Sequence, residues 1–96
     1  MDISDFQRHI AERYGDVDRE RGVPAAVAWL TEELGELAQA VRKGTVDDQE
    51  RELGDVLAWL TSLADQLGLS LDAAAARMLD ADRPPTPVEG ENEPAS

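Results

Sequence analysis

The chain has no cysteine, a single histidine and only four aromatic residues among its 96 positions. Without cysteine there are neither disulfides nor thiolate metal sites, and the fold draws nothing from an oxidising compartment. The lone His9 rules out the Glu-x-x-His pairs with which di-iron helical bundles hold their metals. Basic residues are scarce as well: nine Lys and Arg stand against 21 Asp and Glu, a formal net charge of -12. With no basic run anywhere, a nucleic-acid partner bound through clustered Lys/Arg is excluded. No apolar run approaches the roughly 18 residues needed to span a bilayer, and no apolar signal core stands at the N-terminus. A cytoplasmic protein with no membrane partner is therefore expected.

What is present is helical patterning at 42% apolar content, which suffices to order the chain up to about position 83. A domain this short is too small to bury most of its surface as a monomer, so a homodimer or homotetramer is expected. Ser4 and Gln7 suggest a capping box opening a first helix that ends near Tyr14 and Gly15. Its apolar positions Phe6 and Ile10 make a narrow packing stripe, and the charged, glycine-bounded Gly15–Val23 segment reads as a loop. A second helix is predicted over 24–43 with a seam of Val27, Leu30, Leu34, Leu37 and Val41, ending at a left-handed Gly44. A third, capped by Thr45 or Asp47, is predicted over 46–67, with Leu53, Val56, Leu57, Leu60 and Leu63 on its apolar face. Ser70 opens a fourth from Leu71 to about Asp82, with Ala75, Met78 and Leu79 inward, before Pro84-Pro85. The expected architecture is all-α: an antiparallel bundle of about four helices over 1–83, completed by oligomerisation. The acidic, proline-rich tail 84–96 is expected to be disordered.

Gly44 is the centre of the chemistry. Glu33 and Asp55 are equidistant from it, as are Glu36 and Glu52, and as are Trp29 and Trp59. If the second and third helices fold back there, Glu33 comes level with Asp55 and Glu36 with Glu52, about 12 to 16 Å from the turn at 1.5 Å of rise per residue. Glu33 and Glu36 on one helix, and Glu52 and Asp55 on the other, are each one helical turn apart at the edge of an apolar seam, so the acids are only partly solvated. Four converging carboxylates repel and would have to take up protons unless a cation joins them. An all-oxygen donor set favours Mg²⁺, Mn²⁺ or Ca²⁺ over Zn²⁺. Trp29 and Trp59, one from each helix, would form an aromatic wall suited to a nucleobase. Metal held by acids can carry a polyphosphate, and no Walker-type phosphate loop is present.

The run WLTEELGELAQAVRKG followed by ELGDVLAWLTSLADQLGLSLDAAAAR resembles the MazG family of all-α nucleoside triphosphate pyrophosphohydrolases, whose signature is EExxE followed by ExxD. The resemblance covers roughly Phe6 to Met78 and is densest from Trp29 to Leu71. It implies that Glu33, Glu36, Glu52 and Asp55 bind Mg²⁺, with Mn²⁺ a possible substitute, and that water attacks the α-phosphorus to give nucleoside monophosphate and pyrophosphate. It further implies that Glu32 orients or deprotonates that water, although the helical wheel turns Glu32 away from Glu33. Relatives carry Lys, Asn and Arg in the last helix to hold phosphates. This chain reads Arg77-Met78-Leu79-Asp80-Ala81-Asp82-Arg83, so Arg77 and Arg83 are the candidate phosphate ligands and the Asn is missing. The segment Asp18-Arg19-Glu20-Arg21-Gly22 looks like a DxxRG element of a compact branch, with no role that the sequence reveals. The expected activity is Mg²⁺-dependent hydrolysis of nucleoside triphosphates, deoxy or non-canonical ones included. The alternatives are a narrow dCTP, dUTP or phosphoribosyl-ATP type pyrophosphohydrolase, or a non-catalytic helical oligomerisation module that retains the acids.

Overall fold

The computed structural model describes residues 1–80. Its regular structure is four helices: α1 (Ile3–Arg21), α2 (Val23–Lys43), α3 (Val46–Gln66) and α4 (Leu71–Met78). Arg83 and the segment 84–96 lie outside the described residues. The all-α class expected from the sequence is the one observed. α2 and α3 form the hairpin, α1 lies mainly along α3 and also touches α2, and α4 docks on α1.

The turn between α2 and α3 is short because both ends are capped locally. Thr45 is the N-cap of α3: its side chain accepts from the Asp48 amide, and the Asp48 carboxylate accepts from the Thr45 amide. Those bonds and the Arg51 guanidinium hold Asp48 below the ordinary carboxylate range, the Thr45 amide acting most strongly. Gly44 is extended (φ -100°, ψ -179°) rather than left-handed as expected. Glycine is needed there for room: a Cβ would stand 3.0 Å from the Cα and carbonyl oxygen of Ala40 and 3.1 Å from Asp48 Oδ2. Among the described residues, Gly22 and Gly68 are the glycines with positive φ, 91° and 71°, at the α1–α2 junction and after α3.

The first helix departs most from expectation. Its N-cap is Asp2, which forms the capping box with Asp5, so Ser4 does not cap. It also continues through Gly15 to Arg21 instead of breaking into a loop. Two of the charged residues of 15–23 find partners on α3. Asp18 is buried and accepts a 2.6 Å hydrogen bond from Ser62, while Arg19 pairs with Asp16 and reaches Asp65. Gln7 donates to the Leu69 carbonyl and accepts from the Leu71 amide, tying α1 to the α3–α4 connection.

The interior is built from small residues. Ile10, Ala26, Ala40 and Ala64 are buried together with Thr61 and Ser62, which lets the helices approach closely. The seam predicted to be inward divides between two environments. Leu30, Leu37, Val56 and Leu63 are half-buried, whereas Val27, Leu34, Val41, Leu53, Leu57 and Leu60 are exposed. One covering helix shields one face of a two-helix layer, so the other face stays in water. α4 ends at Met78, short of the expected Asp82, and its expected inward residues Ala75 and Met78, with Leu79 just beyond, are exposed. Among the described residues, no helix is long and apolar enough to cross a membrane.

Candidate functional site

Antiparallel pairing about Gly44 brings Glu33 and Glu36 of α2 to Glu52 of α3. One carboxylate oxygen from each lies within 4.8 Å of the others. Asp55 falls outside that tight group but is near enough for its charge to act on Glu33. Glu33 is pushed above the ordinary carboxylate range, first because burial strips its water and then because Glu36, Asp55, Glu52 and Glu32 surround it with like charge. The same register stacks Trp29 on Trp59, with ring centroids 5.6 Å apart and planes 9° from parallel. The hairpin thus has the Trp29–Trp59 and Glu36–Glu52 pairing that symmetry about Gly44 implies, while Asp55 stands outside the tight group.

Two oxygens decide what the acid cluster can hold. Glu33 Oε1 and Glu52 Oε1 are buried and have no hydrogen-bond partner. A buried carboxylate oxygen left without a donor is strongly unfavourable, and here two of them share one cluster. Glu52, with its side chain 14% exposed, has only Arg51 Nη2 at 3.7 Å from its Oε2. That guanidinium is also engaged by Asp47 and Asp48. A hard cation with oxygen ligands fits this donor set, since it would satisfy both orphaned oxygens and offset the repulsion. Lys43 and Arg51 border the cluster on the turn side, where they line a cavity of about 260 Å³ with Glu36 and Glu52.

The remaining expected site residues are distributed unevenly. Glu32 is exposed and outside the tight cluster, one residue from Glu33 and acting on it only through its charge. Trp29 is 43% exposed and Trp59 half-buried. Because the indoles stack on each other, an aromatic ligand has their outer faces and edges to meet, not a slot between them. Arg77 stands in the last turn of α4, which packs on α1, and borders neither the acid cluster nor its adjoining cavity.

A second cavity of about 290 Å³ lies between α1 and α3, lined among others by Tyr14, Asp18, Arg21, Trp59 and Ser62. Local sequence marks none of Tyr14, Asp18 and Ser62 as a site residue. The DxxRG segment was the available signal. Continued as helix past Gly15, it places Ile10, Tyr14, Asp18 and Arg21 at spacings of four, four and three, along one face.

Comparison with known proteins agrees with the geometry. Residues 21–81 match the family model of the MazG nucleotide pyrophosphohydrolase domain. A relative from Bacillus subtilis (strain 168), described as uncharacterized protein YpjD, is 46% identical over an alignment of 65 positions covering 57% of this chain and 59% of that one. The match thus spans well under two thirds of that relative's length. With the family's matched segment embracing α2, α3, α4 and all four acids, the chain belongs to the MazG nucleotide pyrophosphohydrolase domain family.

Proposed function

We propose that the protein is a cytoplasmic, Mg²⁺-dependent hydrolase that converts nucleoside triphosphates to nucleoside monophosphate and pyrophosphate. The observation that carries this reading is the pair of orphaned buried oxygens, Glu33 Oε1 and Glu52 Oε1, inside a group of acids on a hairpin of this family. Glu33, Glu36, Glu52 and Asp55 would hold the cation, with Mn²⁺ able to replace Mg²⁺. When bound, the cation supplies charge neutralisation for the substrate's phosphates and the leaving pyrophosphate.

The chain's own groups perform the rest. Glu32, exposed beside the cluster, accepts the proton of the attacking water. The water oxygen bonds to the α-phosphorus as the bond from that phosphorus to the bridging oxygen breaks, and pyrophosphate departs with the electron pair. Trp29 and Trp59 present aromatic surface to the base. Arg77 and Arg83 serve as phosphate ligands. The exposed Leu34, Leu53, Leu57 and Leu60 form the face on which a second copy packs, giving a dimer or tetramer.

A non-catalytic helical module is the competing reading, favoured by the absence of the α4 arginine from the lining of the cavity beside the acids. Incubation with each triphosphate and Mg²⁺, followed by chromatography, separates the two. Release of pyrophosphate, abolished by Glu36→Gln and by Asp55→Asn with helical content retained, is the expected result. Wild-type rates in both variants would refute the site.

A further inference from the structure

The cavity between α1 and α3 has a polar wall that the proposed reaction does not use. Asp18 is only 7% exposed and Ser62 3%, and both line it. The Ser62 hydroxyl donates to Asp18 Oδ2 at 2.6 Å while its own oxygen accepts from Gln66 Nε2 at 3.3 Å. This ordered chain commits the serine proton to the carboxylate. Asp18 Oδ1 accepts no hydrogen bond from the described residues. Unlike Glu33 Oε1 and Glu52 Oε1, this oxygen is not enclosed without a partner, so it stands open as an acceptor at the cavity wall.

The rest of the lining suits a flat heteroaromatic ring. Tyr14 and Trp59 supply aromatic surface, and Trp59 is the indole that stacks on Trp29. Along α3, Ser62 lies seven residues beyond Asp55, about 10 Å at 1.5 Å per residue, a separation suited to a sugar and its first phosphate. Arg21, which makes no ion pair with the described residues, adds hydrogen-bond donors at the rim.

We infer that this cavity takes the nucleobase and that Asp18, positioned by Ser62, selects a guanine-type base, one presenting adjacent imino and amino N–H donors to the carboxylate. Guanine alone among the common bases offers two neighbouring donors on its pairing edge. Adenine and cytosine place a bare ring nitrogen beside their amino group, which would face the carboxylate lone pair to lone pair. Uracil and thymine offer a single N–H between two carbonyls. Arg21 complements the acceptor atoms of the same guanine ring. The inference rests on the hydrolase reading above, and it adds the substrate class.

The test is calorimetric titration of the full chain, in Mg²⁺, with the monophosphates of guanosine, inosine, adenosine, cytidine and uridine, beside pyrophosphate release from the matching triphosphates. Guanosine monophosphate is expected to bind about ten-fold tighter than the inosine compound, which lacks the amino group, and tighter still than the others. Asp18→Asn should bring these affinities together, and Ser62→Ala should narrow the same gap, while the Mg²⁺-induced rise in melting temperature is retained. The wild-type order of affinities reads the inference even where a core variant fails to fold. Equal affinity for all bases, or an order unchanged in Asp18→Asn, overturns the inference and leaves the hydrolase reading intact if pyrophosphate is released. Absence of both binding and pyrophosphate release overturns the two together.

Discussion

Replacing Glu33 by Gln should change the sign of its effect on stability when metal is added. In the metal-free protein Glu33 is a carboxylate stripped of water beside Glu36 and Glu52, with oxygens within 4.8 Å. At that distance two unit charges repel by about 1 kcal/mol in a water-like medium and about 3 kcal/mol at an effective dielectric of 20. Glu36 is exposed, so the lower part of that range applies, about 1 kcal/mol. Glutamine keeps the shape and removes the charge, and in chelator it should raise the melting temperature by about 4–8 °C for a domain of this size. With Mg²⁺ at a hundred times its Kd the wild type gains about 2.7 kcal/mol by linkage. The variant, having lost one anionic ligand, gains much less and should melt below the wild type. The pH dependence follows from the raised Glu33. Protonation in the folded state relieves repulsion, so the wild type recovers stability as pH falls from neutral through the raised Glu33 range. The advantage of Glu33→Gln in chelator must shrink over the same interval. Scanning calorimetry with and without Mg²⁺ at several pH values reads all of this. An effect of the same sign with and without metal would refute the argument.

Two further outcomes check the fold. Gly44→Ala should lower stability by about 1–3 kcal/mol through crowding, since the added carbon would press on Ala40 and displace the Asp48 cap; an unchanged denaturation midpoint would refute the close approach. Asp2→Ala should cost about 1 kcal/mol and Ser4→Ala less than about 0.5 kcal/mol in urea unfolding, because Asp2 holds the first-turn amide of Asp5; the reverse order would return the cap to Ser4.

Some of this architecture was legible before any coordinates. The pairing of Trp29 with Trp59 and of Glu36 with Glu52 needs only a helix breaker at Gly44 and equal rise on both sides. The continuation of α1 was not legible, because the groups that satisfy it are distant in sequence. Asp18 meets Ser62, Arg19 meets Asp65, and Gln7 meets Leu69 and Leu71. Read locally, the same residues resemble a charged loop. The Ser4–Gln7 spacing is not the one used, for a related reason, since Asp2 and Asp5, two residues earlier, form the same type of box and Gln7 is engaged by Leu69 and Leu71.

The sequence by itself determined the helical class, the hairpin at Gly44 and the convergence of acids, since helical periodicity and chain reversal are local properties of the chain. Only the tertiary structure decided which oxygens lose their water, Glu33 Oε1 and Glu52 Oε1, and which charged residue turns inward, Asp18. Burial depends on what another element covers. No count along one helix contains that information, because it belongs to the packing of α1 and α2 on α3.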